Sequence, residues 1–119
     1  MKRRGFTLIE LLVVVSIIAI LTAAGMAVFT NAQKGARDSR RRADIKAMQS
    51  ASELYYQSTG SYPSAIGSAT SFLDGGLVLV DPKNAGVYSY VFSYNGTVGY
   101  NHCATLEVAA GNFCAGNLQ

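Results

Sequence analysis

The strongest constraint on this chain is an apolar run near its start. Residues 6–29 contain a single charged residue, Glu10, among leucine, isoleucine, valine and alanine. A run of about 20 apolar residues spans the hydrocarbon core of a bilayer as an α-helix, at a rise of about 1.5 Å per residue. We therefore expect residues 6–29 to form a membrane-spanning helix.

Three basic residues precede this run and dominate the charge balance. Lys2, Arg3 and Arg4 carry three of the ten basic charges, and the remaining seven match the seven acidic residues. Basic flanks stay on the cytoplasmic side of a membrane, so the C-terminal part is expected to be exported. The formal net charge of +3 describes this N-terminal segment and does not indicate nucleic-acid binding by the rest.

Glu10 is an unusual residue for a membrane span, and it requires a partner. It lies about one turn inside the run, where a carboxylate is by default a candidate for a functional role. Gly5 separates the basic residues from the run. Cleavage after Gly5 would leave the positive α-amine of Phe6 within one helical turn of Glu10, where it would neutralise the carboxylate in the same chain or in a neighbour.

These residues also resemble a known signal. The segment from Arg3 to Val14, RRGFTLIELLVV, resembles the class III signal of type IV prepilins and type II secretion pseudopilins. The resemblance implies that a membrane-embedded prepilin peptidase cleaves after Gly5 and N-methylates Phe6. It further implies that Glu10, the fifth residue of the mature chain, engages the N-terminus of a neighbouring subunit and sets the register of assembly.

Two other interpretations of the N-terminus remain open. Residues 1–24 could be a conventional signal peptide that is cut near residues 22–24 and releases a secreted domain. Residues 6–29 could instead be a single-pass anchor without processing. Neither explains a glutamate inside the run, and the first requires an apolar segment longer than signal regions usually have.

The helix is expected to continue beyond the apolar run. Residues 30–58 are rich in good helix formers, which together with the first segment predicts one helix of about fifty residues. Its amphipathic half is expected over residues 30–59, and Gly60 suits the left-handed position after a helix end. Small and apolar residues recur there at three- or four-residue steps. This predicted stripe consists of Ala43, Ala47, Ala51, Leu54 and Tyr55, flanked by Ile45, Met48 and Ser52.

The cluster Arg40-Arg41-Arg42 raises the question of nucleic-acid binding. Asp38, Asp44 and Lys46 interleave with it, which favours a solvated helix face. Salt bridges between subunits and contact with lipid headgroups are further readings. DNA contact is the less favoured alternative.

Residues 60–119 are expected to form a small β-rich head. Strands are predicted over 77–80, 88–94, 97–100 and 103–108, with a hairpin turn at Asn95-Gly96 and a surface loop over 64–76. A three- or four-stranded antiparallel sheet packed on the amphipathic half-helix gives an α+β fold, similar to that of type IV pilins.

The head offers little for catalysis or metal binding. An exported chain resides where disulfides form, so Cys103 and Cys114 are expected to pair, with a stabilisation of roughly 3 kcal/mol. His102 is the single histidine and is expected in a loop or at the surface. A histidine-based metal cluster or a catalytic triad is therefore not supported, and we expect no enzymatic activity.

Two segments, one at the end of the helix and one in the head, resemble type II secretion major pseudopilins. The helix exit from Leu54 to Pro63 shares the family's tyrosine, glycine and Tyr-Pro positions, and residues 81–88 loosely resemble a loop near which some members bind calcium. Lys83 and the position of Gly86 depart from that loop pattern, and oxygen ligands are sparse. We expect no cofactor, and calcium remains an alternative without assigned ligands.

The sequence thus predicts an assembly subunit. Residues 1–5 would be a cleaved leader, and the mature chain would form a homo-oligomeric filament after contact with a prepilin peptidase and an inner-membrane assembly platform. The chain would cross the cytoplasmic membrane once, with its N-terminus inside, before it enters an extracellular or periplasmic filament. A type IV pilus subunit is the first reading, a type II secretion pseudopilin the second, and a secreted or membrane-anchored binding domain the alternative outside this class.

Overall fold

The computed structural model describes residues 5–95 and 98–118. The chain divides into two units, Met1–Gln33 and Lys34–Gln119, and helix α1 (Leu8–Thr59) contributes to both. The second unit, called the head below, adds two short 3₁₀ helices, Ile66–Phe72 and Asp74–Gly76. It also contains three strands: β1 (Val91–Asn95), β2 (Gly99–Thr105) and β3 (Asn112–Gly116). This is the α+β arrangement predicted from the sequence.

Helix α1 ends where its sequence predicts. Gly60 has φ 77°, the left-handed conformation that glycine adopts without steric cost, and its N–H donates to the carbonyl of Tyr56 at 2.8 Å. Tyr62 and Pro63 follow as buried residues. The turn thus directs the chain back onto the helix that it has just left.

The three strands form one antiparallel sheet in the order β1-β2-β3. The prediction of separate strands over 97–100 and 103–108 was wrong, because Asn101 and His102 continue the alternation of one strand. The third strand instead follows a turn that closes with Leu106 N–H donating to the Gly111 carbonyl at 3.0 Å. In the β1–β2 turn, Gly96 and Thr97 lie outside the described residues, so that part of the hairpin prediction stays a prediction.

The region between helix and sheet departs from its prediction in two ways. Residues 77–80 are not a strand: the described chain shows no ladder for them, and only Leu79 turns into the core while Val78 and Val80 stay exposed. Residues 64–76 are not a surface loop, since Ala69 of the first 3₁₀ helix and Leu73, which lies between the two 3₁₀ helices, are buried. Short serine- and glycine-rich segments carry no periodic signal that would reveal such anchors.

The core of the head lies between α1 and the inner face of β2. One cluster joins Ile45 and Met48 to Ala104, and a second joins Ala51 to the 3₁₀ helices. The predicted stripe was correct at Ala51, which is buried, and at Tyr55, which packs against the second cluster. It was wrong at Ala43, Ala47 and Leu54, which are exposed, whereas the flanking residues Ile45, Met48 and Ser52 are buried. Alanine is compatible with either face of a helix, so its spacing did not fix which side faces the sheet.

Candidate functional site

The first turn of α1 holds the glutamate that the sequence singled out. The Glu10 Oε2 atom accepts hydrogen bonds from the Thr7 N–H at 2.9 Å and from the Thr7 hydroxyl at 2.7 Å. The Glu10 N–H donates in return to the Thr7 hydroxyl at 3.3 Å. This reciprocal pairing is a capping box, which satisfies backbone donors at a helix start.

Thr7 is a functional candidate that the sequence reasoning missed. The Thr-x-x-Glu spacing of Thr7 and Glu10 is a recognised start signal for helices and would have identified the pair. Both hydrogen bonds from Thr7 to the carboxylate end at Oε2. Within the described residues Oε1 therefore remains open to a donor from outside the chain.

The rest of the first unit presents apolar side chains without cover. The exposed fraction of the large hydrophobic side chains between Leu8 and Phe29 ranges from 48%, at Val13 and Val14, to 81%, at Leu8. An 18-residue window of α1 has a mean hydropathy of 2.7. The helix is therefore long and apolar enough to cross a membrane. Such a surface requires lipid or other protein around it. Phe6, which is 80% exposed, lines a shallow groove here with Glu10 and Val13.

The head is organised around a buried arginine. Arg41 is 0% exposed, and its Nε and Nη2 atoms donate to the two oxygens of Asp81 at 2.6 and 3.0 Å. Its Nη1 atom donates to Asp38 and to Glu107, each at 2.8 Å. Arg37 completes the set with two bonds of 2.7 Å to Glu107. We call these five residues the ionic cluster.

The ionic cluster shifts the titration of its acids. Hydrogen bonds from Arg37 and Arg41 lower the pKa of Glu107 to about 2. The Arg41 guanidinium likewise lowers the pKa of Asp81. Burial raises the pKa of Asp38, but the backbone N–H groups of Glu107 and Val108 and the Arg41 guanidinium outweigh it, and the net shift is downward.

The ionic cluster corrects the prediction that the three consecutive arginines form a solvated helix face. They are not one solvated face, because Arg41 is buried and fully paired inside the head. Arg40 is exposed and lies 3.8 Å from the Asp44 carboxylate, and Arg42 is also exposed. A DNA-binding patch therefore lacks its central cation, and sequence could not show this, because Asp81 and Glu107 lie 40 and 66 residues further on.

His102 was also placed wrongly by the sequence. It is 0% exposed in the middle of β2, its ring stacks on Phe92 at 4.7 Å, and its Nε2 atom lies 2.9 Å from the Ser52 hydroxyl. Burial lowers its pKa to about 4, so it is neutral at pH 7. The alternation of Tyr100, His102 and Ala104 along one strand was the signal for an inward position.

Cys103 and Cys114 form a disulfide, as expected for this pair. They are direct partners in the β2–β3 register, with a Cα–Cα distance of 4.1 Å. Because His102 and Ala104 face the helix, the bridge lies on the opposite face of the sheet, and Cys114 is exposed.

No metal centre is apparent in the described part of the chain. No group of three or more histidine, cysteine, aspartate or glutamate side chains is placed there to hold an ion. The loop considered for calcium has already used the oxygens of Asp81, which accept from Arg41 and from the backbone N–H groups of Lys83 and Asn84.

Comparison with known proteins agrees with this geometry. The family model described as the prokaryotic N-terminal methylation motif matches residues 1–26. A type IV major pilin protein, PilA of Myxococcus xanthus, is 36% identical over 61 residues, which are 51% of this chain and 28% of that protein. The aligned segment thus spans less than a third of the relative.

The methylation motif and the α+β fold occur together in this chain. The motif lies at the start of the exposed apolar half of α1, and the small antiparallel sheet belongs to the head that follows. The chain therefore carries the prokaryotic N-terminal methylation motif at the start of a long helix, and its α+β architecture is consistent with a type IV pilin fold.

Proposed function

We propose that this chain is the structural subunit of a type IV pilus-like filament and not an enzyme. The precursor inserts into the cytoplasmic membrane with its basic end inside. A prepilin peptidase cleaves after Gly5 and N-methylates Phe6. An inner-membrane assembly platform then transfers α1 from lipid into a helical filament of identical subunits.

The observation that carries this proposal is the uncovered apolar half of α1. A secreted domain would have to bury these side chains or lose them, whereas a filament core covers them with the same surface of neighbouring subunits. The segment therefore has two environments of similar polarity, lipid before assembly and protein after it. Transfer between them keeps the apolar surface away from water at both stages.

The capping box supports the proposal that Glu10 sets the register of assembly. In the single chain Thr7 holds one carboxylate oxygen, and the other oxygen is open to the α-amine of Phe6 in a neighbouring subunit. An ionised carboxylate accepts up to about four hydrogen bonds, so both partners can be bound together. A misaligned neighbour would leave this charge unpaired in an apolar core, which disfavours wrong registers.

Mass spectrometry of the N-terminal peptide tests the processing step. We expect a mature chain that begins at Phe6 and carries one added methyl group, and we expect Gly5→Leu to retain residues 1–5. Gly25→Ala serves as the matched control, since an added Cβ meets nothing within 4 Å there. A wild-type chain that begins near Gly25, or one that keeps Met1, would contradict cleavage after Gly5.

The register role is tested separately with Glu10→Gln, which keeps the size of the side chain and removes its charge. We expect normal cleavage and membrane insertion but few filaments in sheared or membrane fractions. Ser16→Ala is the control, because among the described residues the Ser16 hydroxyl bonds to its own helix, at the Val13 carbonyl. Filament yield equal to wild type in Glu10→Gln would refute the proposed pairing with Phe6.

A type II secretion pseudopilin is the second candidate function. The helix exit favours it, since Gly60 ends α1 and is followed by the buried Tyr62-Pro63 pair that resembles the pseudopilin pattern. The name of the Myxococcus xanthus relative favours the pilus. Immunogold labelling separates the two, because pilus subunits would form long surface filaments and pseudopilins short periplasmic ones. Soluble protein that lacks residues 6–24 would support the secreted binding domain instead.

A further inference from the structure

The sheet of the head ends in an open edge at β1. The strand order β1-β2-β3 leaves one side of β1 without a neighbouring strand, and no backbone hydrogen bond from the other described residues reaches that side. Residues 78–81 run near β1 but lie across a cleft of about 220 Å³ from it. Ser93 and Tyr94 do not line that cleft, so the middle of the edge is clear.

The strand register shows which backbone groups face this open edge. In an antiparallel ladder, opposite residues lie about 5.5 Å apart at Cα when they exchange hydrogen bonds and about 4.5 Å apart when they do not. Cys103 and Cys114 lie 4.1 Å apart, so they are a non-bonded pair and the backbone groups of Cys103 point to β1. Val91, which lies opposite Cys103, therefore bonds to β2. The alternation along β1 then turns the N–H and carbonyl groups of Phe92 and Tyr94 outward.

The sequence of β1 does not protect this edge. Natural sheets block exposed edges with charged residues, prolines or bulges, whereas β1 reads VFSYN and pairs with β2 in an unbroken register. Val91 is 58% exposed, and Ser93 and Asn95 are exposed as well. The other edge of the sheet is partly covered, because the Gln49 amide donates to the Gly116 carbonyl of β3 at 2.6 Å. The β1 edge is therefore the one available to a further strand.

The outward groups of β1 are complementary to those of a second β1. When two copies meet antiparallel with Ser93 opposite Ser93, Phe92 of each copy lies opposite Tyr94 of the other. Both residues point their N–H and carbonyl groups outward, so each of these two pairs can exchange two hydrogen bonds. Phe92 faces the helix side of the sheet, where it stacks on His102, and Tyr94 lies on the same face. The pairing thus also brings two aromatic pairs together, which is favourable between strands.

We propose that the β1 edge binds the β1 edge of a second copy of this chain, so that three strands from each copy form one continuous sheet. The contact is isologous, because the same surface of both copies meets across a two-fold axis perpendicular to the sheet. That axis makes the head portions of α1 run in opposite directions. Subunits of the proposed filament all point the same way, so this contact would join subunits of different filaments. It uses none of residues 6–29.

A single added cysteine at the two-fold axis tests the proposed register. Ser93→Cys places two thiols opposite each other with about 4.5 Å between Cα atoms, a separation that a disulfide can span. Asn95→Cys is the matched control, because it lies on the same exposed face but about 13 Å along the strands from its copy. The full chain is reconstituted in lipid nanodiscs with one copy each, oxidised with copper phenanthroline and separated by electrophoresis without reductant. We expect Ser93→Cys to give at least about tenfold more dimer than Asn95→Cys.

Amide hydrogen exchange provides a second readout on the chain without added cysteines. In dilute nanodiscs the Phe92 and Tyr94 amides should exchange rapidly, whereas the Ser93 amide is protected by its bond to β2. Raising the concentration should slow exchange at Phe92 and Tyr94 by about tenfold or more and leave Ser93 unchanged. Ser93→Lys should prevent this protection, because two lysines would meet at the axis. Asn101→Lys, which places the same charge on the exposed face of β2, should not prevent it.

Three results would overturn the proposal. Equal dimer yields from the two cysteine variants would exclude the register centred on Ser93. Rapid exchange of the Phe92 and Tyr94 amides at every concentration would show that no second copy occupies the edge. Protection of these amides that persists on dilution would show that the edge is closed within one head. None of these results depends on cleavage after Gly5 or on filament formation, so the proposed function stands or fails by its own experiments.

Discussion

Replacing Arg41 is the most informative perturbation of the head. Arg41→Met keeps an unbranched side chain of similar length but removes the charge and every donor. It leaves Asp81 and Asp38 buried without the cation that pairs them, while Glu107 keeps its two bonds to Arg37. We therefore expect the head to lose stability while α1 remains helical within the membrane.

The magnitude follows from the burial of the cluster. Removing one partner of a buried ion pair costs about 3–5 kcal/mol, because the remaining charge is left desolvated. The head, Lys34–Gln119, has 86 residues, since 119 − 33 = 86. For a domain of that size each kcal/mol lowers Tm by about 4–8 °C, so the expected drop is about 12 °C or more.

The assay is thermal unfolding of the full chain in nanodiscs. Tyrosine fluorescence reports on the head, because the sequence has seven tyrosines and no tryptophan. Arg42→Met is the matched control, since that arginine is exposed and its loss should change stability by less than about 0.5 kcal/mol. The loss of stability in Arg41→Lys should lie between those of Arg41→Met and Arg42→Met, because a lysine keeps the charge but cannot bind Asp81 through two nitrogens.

A double-mutant cycle with Asp81→Asn isolates the pair itself. If Arg41 and Asp81 stabilise the head jointly, the double variant loses less stability than the sum of the single variants. Strict additivity, or an Arg41→Met variant as stable as Arg42→Met, would refute the view that the ionic cluster holds the head together.

Four further predictions concern acid, the helix end and the disulfide, two of them on acid. The pKa of Glu107 is lowered in the folded state from its ordinary value near 4.5 to about 2. Its contribution to the stability of the head is therefore complete above pH 4.5 and is lost as the pH falls towards about 2. The Tm measured from about pH 5 to about 2 should fall more steeply in wild type than in Arg41→Met. The neutral His102 takes up a proton more readily when unfolded, so stability should also fall as the pH drops from 6.5 to about 4, and His102→Phe should abolish this part of the pH profile. Gly60→Ala should cost about 1 kcal/mol because of its φ of 77°, whereas Gly67→Ala, with open space and no positive φ, should cost less in the same unfolding assay. Reduction of the disulfide should lower the urea midpoint of the head by the equivalent of about 2–4 kcal/mol, and an unchanged midpoint would show that the bridge does not stabilise the fold.

Local signals in the sequence were sufficient to predict the long helix and the position at which it ends. A charge-poor run with one glutamate predicts a helix in an apolar environment, and Gly60 followed by Pro63 predicts where that helix ends. These features depend on neighbouring residues only, so no partner distant in the sequence can alter them. The disulfide was predictable for a related reason, since the chain offers two cysteines and therefore one intramolecular pairing.

The errors concern residues whose roles depend on distant partners. Arg41 has the same neighbours in sequence as Arg40 and Arg42, yet it alone points towards Asp81 and Glu107. Residues 77–80 have the composition of a strand but no ladder within the described chain, because strand formation requires an adjacent edge in register.

The sequence by itself determined that this protein has a long helix with an apolar first half, an N-terminal methylation motif at its start and a small mixed head after it. Helix length, capping and apolar content are sums over adjacent residues, so they can be counted along the chain. Only the tertiary structure decided which face of α1 is buried, that the alternation of β2 brings His102 inward, and that one arginine of three is the centre of the head. Those outcomes depend on which groups distant in sequence meet in space. Burial removes the water around these groups, so an unpaired charge or N–H destabilises the fold and a paired one does not.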